Sequence, residues 1–272
     1  MDAFNKIVTV LFDGLLFPLR PLSAPWALLV LAMLAGLFML WIFKKVSNQE
    51  AIRATKNRIK AHLLEIRLYR HDAMLSLNAT GRLFFENGRY FLHLVKPLLL
   101  LSAPMLIILL QVGARYGHQP AAVDQPILVS LQLAETIDAD QVVLVAQTIQ
   151  IETAPLFIPQ EHAIYWRIRP VRAGASTLTF QYRDETVEKK LVSGSKTNSP
   201  LATKRVCARS LAAFLHPAEA TLAANSFARE ILVDYEESFI RLGGHRIHWL
   251  LIFIVISVLS GFLAKVLFKV QL

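Results

Sequence analysis

Three blocks of apolar residues dominate the chain, each too long and too uniform for the alternation of a strand or the single stripe of a surface helix. Residues 26–43 read WALLVLAMLAGLFMLWIF without a charge and are followed by Lys44-Lys45. At about 1.5 Å per residue such a helix nearly crosses a hydrocarbon core of roughly 30 Å, and Trp26 and Trp41 suit its two interfaces. Residues 97–114, PLLLLSAPMLIILLQVGA, form a second candidate span in which Pro104 predicts a kink. Residues 249–268 form the third, with Lys265 close enough to its end to snorkel to the headgroups. The pattern predicts three transmembrane helices.

The connections carry different patterns. Residues 1–25 are apolar but interrupted by Lys6, Asp13 and Arg20, which predicts an interfacial amphipathic helix that is retained and not cleaved. In residues 44–96, Ser47 and Glu50 have capping-box spacing. Ile52, Ile59 and Ile66 then recur every seven residues with Leu63 alongside, while Arg53, Lys56, Arg58, Lys60 and Arg67 occupy much of the remaining surface. This is a basic amphipathic helix with coiled-coil spacing. His71-Asp72 predicts a break, after which Leu75, Leu77, Leu83, Phe84, Phe91 and Leu92 lead to the second span. Two readings fit: a helical hairpin, or one helix followed by an interfacial segment around residues 81–88.

Residues 115–247 change period. Short β-type runs at 127–133, 142–151, 164–168, 177–182, 187–192 and 231–235 are separated by turn residues, which predicts an antiparallel sandwich resembling the immunoglobulin architecture. The stretch 193–200 reads as a polar loop, and the alanine-rich 210–227 as a short helix broken at His216-Pro217. The fold class is therefore an α+β membrane protein: three transmembrane helices, a cytosolic helical hairpin and an extracytoplasmic immunoglobulin-like β-sandwich.

Charge gives this layout a direction. Residues 44–96 hold eleven Lys/Arg against four Asp/Glu, residues 114–247 hold fourteen of each sign, and the tail adds Lys265 and Lys269. The positive-inside rule then predicts residues 44–96 and the C-terminus in the cytosol, with residues 1–25 and the β-rich domain outside. Basic residues beside two spans point to anionic lipid headgroups or a ribosome-proximal surface, and no other nucleic acid is expected. The single cysteine, Cys207, offers no intramolecular disulfide, and with no usable glycosylation sequon outside, a plasma (inner) membrane is favoured over the endoplasmic reticulum.

Chemistry is sparse. GxSxG, Walker A, GxGxxG and HExxH signatures are absent, so no catalytic residue, cofactor or metal is expected. His245 and His248 could share a metal if they lay on a helix, but a position at the membrane interface beside Trp249 fits them better. Glu236 and Glu237 should diverge from a strand end as solvated carboxylates. In the spans, Ser102, Gln111, Ser257 and Ser260 suit interhelical hydrogen bonds.

Lys44-Lys45 followed by the helix of residues 47–70, and the block 96–116 with Pro104, resemble the YidC/Oxa superfamily of membrane-protein insertases, which includes the third subunit of the ER membrane protein complex and archaeal relatives. The likeness covers roughly residues 1–116. It implies a non-enzymatic insertion or assembly factor whose spans enclose a hydrophilic groove. Gln111, Pro104, Ser102, Lys96, Arg115 and Arg20 are then substrate-path candidates, and Arg53, Lys56, Arg58, Lys60 and Arg67 a cytosolic contact surface. Implied partners are membrane lipids, nascent membrane proteins, a ribosome or translocon, and an external protein for the β domain. The sequence departs from the family in having no Arg or Lys deep in a span and in placing its large external domain between the second and third spans. The alternative is a scaffold or accessory subunit of an envelope complex that binds through the β domain.

Overall fold

The computed structural model describes residues 2–19, 21–134, 137–146, 148–194, 199–208, 212–242, 244–268 and 270. The chain forms two compact units, one of residues 1–28 with 109–251 and one of residues 29–108 with 252–272. The helices are α1 (Asp2–Leu16), α2 (Ala24–Val46), α3 (Gln49–Leu68), α4 (Ala73–Tyr116), the short α5 (Ala212–Leu215) and α6 (Trp249–Phe268). Among them α2, α4 and α6 are long and apolar enough to cross a membrane. In the most apolar windows of α4 and α6 only 17% and 11% is buried by protein. So much exposed hydrocarbon needs lipid as its solvent, and the chain is membrane-associated.

The 44 residues of α4 amount to about 66 Å of helix, more than twice a bilayer core, so part of its length is enough for a span. Pro97 and Pro104 both lie inside it, where each removes one backbone donor. Of the two readings of residues 71–96, the hairpin holds. Asp72 Oδ1 accepts from the amides of Met74 and Leu75 and starts α4, which runs through Gly81 and Gly88 without interruption.

The start of α3 corrects the capping-box expectation. Asn48 is the N-cap, accepting from Ala51 N at 3.0 Å, while Ser47 Oγ donates back to the Phe43 carbonyl at 2.6 Å. Only two residues separate α2 from α3, and Asn48, not Ser47, is the one placed to accept from the first turn of α3, while Ser47 Oγ accepts from the Gln49 side chain. Ile52 is buried and Ile59 and Ile66 half-buried, as their sevenfold spacing requires, whereas Leu63 is exposed. Glu86 of α4 accepts from Arg58 Nε at 3.0 Å and closes the hairpin. Leu40 and Phe43 of α2, Ile52 of α3 and Ala264 of α6 share one apolar cluster, with Tyr90, Leu94 and Leu101 of α4 packed against it.

The β-rich part contains β1 (Ile127–Leu133), β2 (Val142–Val145), β3 (Ile149–Ile151), β4 (Leu156–Ile158), β5 (Ala163–Pro170), β6 (Gly174–Tyr182), β7 (Glu185–Ser193), β8 (Lys204–Val206), β9 (Ala228–Val233), β10 (Phe239–Leu242) and β11 (His245–His248). One sheet has the order β3-β5-β1-β9-β8 with β4 also on β5, the second has the order β2-β6-β7, and β10 pairs with β11. Every named pair is antiparallel. Period-two alternation turns Val129, Leu131, Trp166, Ile168, Ile231 and Val233 of the first sheet toward Leu178, Phe180 and Leu191 of the second in one core. Trp166 and Phe180 meet across it with ring centroids 5.5 Å apart. The turn at residues 171–173 therefore carries the chain from one sheet to the other.

The expected run 142–151 is two strands, and β4, β8, β10 and β11 are additional. Three- and four-residue strands carry too few alternations to be read from period alone. Among the described residues of the alanine-rich segment, the helix is the four-residue α5. Residues 195–198 of the expected polar loop lie outside the described residues, as do Arg20 and Lys269.

One inward position of β7 holds a charge. Lys189 has a fully buried side chain whose Nζ donates to Glu219 Oε2 and to the Ala202 carbonyl, each at 2.6 Å. Burial pushes its ammonium below the usual lysine range, and the Glu219 carboxylate opposes the shift. Glu219 Oε1 also accepts from Lys190 N, so this carboxylate fastens the irregular segment around residue 219 to the sheet.

Candidate functional site

Two constellations stand out, one in each compact unit. The first is a polar ladder between α1 and α4. Asn5, Thr9 and Asp13 recur every four residues along one face of α1, and that face meets protein, with Leu16 buried in line with it. Asn5 Nδ2 donates to the Ala213 carbonyl at 3.1 Å, Gln111 Nε2 to Thr9 Oγ1 at 3.2 Å, and Arg115 Nη2 to Asp13 Oδ1 at 2.6 Å. Gln111 and Arg115 are themselves four apart on α4 and are joined by Arg115 Nη1 donating to Gln111 Oε1 at 2.6 Å. Ile7, Val10, Leu11 and Leu15 remain exposed on the opposite side of α1. A helix that turns its polar stripe to protein and leaves Ile7, Val10, Leu11 and Leu15 exposed is suited to a lipid surround.

This arrangement revises the reading of Arg115. Its side chain is completely buried, although it falls just beyond the end of the predicted span. Asp13 supplies the counter-charge without which such burial would be prohibitive, and Phe12 lies under the guanidinium with its ring centroid 5.9 Å away. The 1–25 segment, expected to lie on the membrane as a separate element, belongs to the same compact unit as the β-rich domain. Asn5, Thr9 and Asp13 were missed as site residues, although their i, i+4, i+8 spacing inside an apolar helix was the available signal.

The second constellation is a groove of about 420 Å³ walled by α2, α4 and α6. Gly36 brings α2 so close to α6 that a Cβ there would overlap the Ser257 carbonyl oxygen and Ser260 Oγ. Ser260 Oγ donates to the Met33 carbonyl at 3.2 Å beside this crossing. Met39, Met105 and Phe262 line the groove, and Ser102 and Ser257 are its polar members. The resemblance implies a hydrophilic groove; this one is apolar, because its walls are the helix faces of near-continuous hydrophobic runs.

The remaining predicted residues scatter. Ser102 lines the groove and donates to Leu99 O at 2.7 Å. Pro104 lies in α4 but is not among the lining, and Lys96 is exposed. Gln111 and Arg115 belong to the ladder instead. On the hairpin, Arg53, Lys60 and Arg67 are exposed, whereas Arg58 is held by Glu86 and Thr55, and Lys56 stands 5.9 Å from the Tyr90 ring centroid. The free basic surface is thus smaller than the sequence implied. Leu64, Leu68, Met74 and Leu77 are strongly exposed near the hairpin's turn.

His245 and His248 lie on strand β11, where residues three apart point to opposite faces, so the helical premise of a shared metal fails. Comparison with protein-family models, with curated proteins and with solved structures finds no match.

Proposed function

We propose that this chain is a non-enzymatic membrane-protein insertion or assembly factor of YidC/Oxa type. The observation that carries the reading is the groove among α2, α4 and α6, in the same compact unit as a hairpin whose turn exposes Leu64, Leu68, Met74 and Leu77 beside Arg67. The hairpin captures an apolar segment of a nascent chain at its turn. The groove then receives that segment against small residues and methionines, whose unbranched side chains adapt to varied sequences. An apolar groove suits the hydrophobic part of a substrate, and moving a polar tail is left to local thinning of the bilayer.

In this reading α3 and the hairpin half of α4 lie in the cytosol, the immunoglobulin-like sandwich lies outside and recruits an external partner, and the membrane is a plasma membrane. The charge asymmetry around residues 44–96 supports that orientation. Photocrosslinkers placed at Ser102 in the groove and at Met74 on the hairpin test the function in cells. Capture of many newly made membrane proteins at both positions is expected. A single stoichiometric partner would instead identify a scaffold subunit, and unchanged insertion of short-tailed membrane proteins after depletion would reject the insertase.

A further inference from the structure

A cavity of about 420 Å³ opens within the unit of residues 1–28 and 109–251. Its lining has two chemically distinct parts. Leu110, near the end of α4, and Trp249, the first residue of α6, bring apolar surface from the places where two apolar helices begin and end. Trp249 is the type of side chain that settles at the headgroup level of a bilayer. Gly113 keeps this wall open, since a Cβ there would reach ordinary contact with the Trp249 ring at 3.5 Å and a longer side chain would fill the space.

The second part carries both signs of charge. Lys204 Nζ pairs with Glu230 at 2.7 Å while remaining partly exposed, and an ammonium has three donors, so one such pair leaves capacity for a second acceptor. His216 also lines the cavity, and burial together with Lys204 holds its imidazole below the usual histidine range, making it a neutral hydrogen-bonding group at neutral pH. Glu237 is largely exposed, with His248 3.8 Å from its carboxylate. Among the described residues no group of three or more side chains converges to hold a metal ion.

An apolar wall at headgroup level, donors for a phosphate and a carboxylate for an ammonium together describe one ligand. We infer that this cavity binds a single aminophospholipid, its phosphate on Lys204 and His216, its primary ammonium on Glu237 and its upper acyl chain along Leu110 and Trp249. A quaternary choline cannot donate a hydrogen bond to Glu237, and a glycerol headgroup brings no positive charge, so the site separates the three common headgroups by chemistry. This inference does not depend on insertase activity.

The test uses the full chain in detergent, offered equal amounts of phosphatidylethanolamine, phosphatidylcholine and phosphatidylglycerol, with retained lipid counted by native mass spectrometry. Retention of one phosphatidylethanolamine is expected, preferred roughly tenfold, as one charge-assisted hydrogen bond allows. Glu237→Gln, a change on an exposed side chain, should abolish the preference, and Gly113→Leu should lower retention of all three lipids. Equal retention of the three by the wild type, a preference for phosphatidylglycerol, or an undiminished preference in Glu237→Gln would each overturn the assignment. Soluble phosphoethanolamine should fail to displace the lipid; displacement would identify a small phosphoamine as the ligand and overturn the lipid.

Discussion

Replacing Gly36 by valine tests whether close approach of α2 and α6 holds the groove in shape. Gly36 has no side chain, and the space a Cβ would need is occupied by backbone: the Ser257 carbonyl carbon would lie at 2.9 Å, with its oxygen and Ser260 Oγ closer still. Backbone cannot rotate away, so the helices must part. Overpacking of this kind costs about 1–3 kcal/mol. Separation also breaks the Ser260–Met33 hydrogen bond, worth about 0.6 kcal/mol between membrane helices. The expected loss is therefore about 2–4 kcal/mol, or roughly 30- to 700-fold in the folding equilibrium. Gly81→Ala is the matched control, because Gly81 lies in the interior of α4 with nothing within 4 Å of its Cβ position. That substitution should gain about 0.5–1 kcal/mol from helix propensity. Unfolding by sodium dodecyl sulfate in mixed micelles, followed by circular dichroism, measures both. If Gly36→Val unfolds at the same detergent fraction as the wild type, the crossing does not hold the helices together and the reasoning fails.

Asp13→Ala should destabilise the unit that contains α1 by about 3 kcal/mol, toward the lower end for a broken buried pair because Asp13 itself is partly exposed. Adding Arg115→Met should recover most of that loss by removing the stranded charge; a double variant as unstable as the sum of the singles, in thermal melts and in proteolysis of the N-terminus, would contradict the ladder. Tyr235 gives a pH signature. Burial raises its phenol from 10.0 to about 12, while its oxygen accepts from Val192 N at 2.9 Å. The folded-state value exceeds the unfolded one, so this contribution is complete below pH 10 and is lost as pH rises toward 12, a change of about 3 kcal/mol. Tyr235→Phe should cost about 1–3 kcal/mol at pH 8 by leaving the Val192 amide without its acceptor, and should then lose stability less steeply than the wild type above pH 10. Parallel stability curves across that window would refute it.

The elements most legible in the chain are those whose signal is local and repeated. Eighteen charge-free residues from 26 to 43 suffice to place α2, because transfer of each side chain into hydrocarbon adds to the others whatever the partner. Residues 127–133 announce β1 to the residue by alternation, and Ile52, Ile59 and Ile66 announce the packed face of α3. β4, β8, β10 and β11 escaped because three or four side chains define no period. Lys189 escaped for another reason: its inward position in β7 is tolerable only because Glu219, thirty residues later, is brought to it.

The same distinction governs the sites. Polar side chains at Gln111 and Arg115 and an interrupted apolar N-terminus can be read directly, since they depend only on residue type and order. That Asp13 neutralises Arg115 and Thr9 meets Gln111 cannot, because each pair is separated by about a hundred residues and exists only through the packing of α1 against α4. Likewise the apolar character of the groove follows from the hydrophobic runs, but its volume follows from Gly36, where the missing Cβ sets how closely two helix backbones approach. Hydropathy is a sum over single residues and survives in a linear string; charge compensation and cavity shape are properties of pairs, and arise only when the fold brings the pairs together.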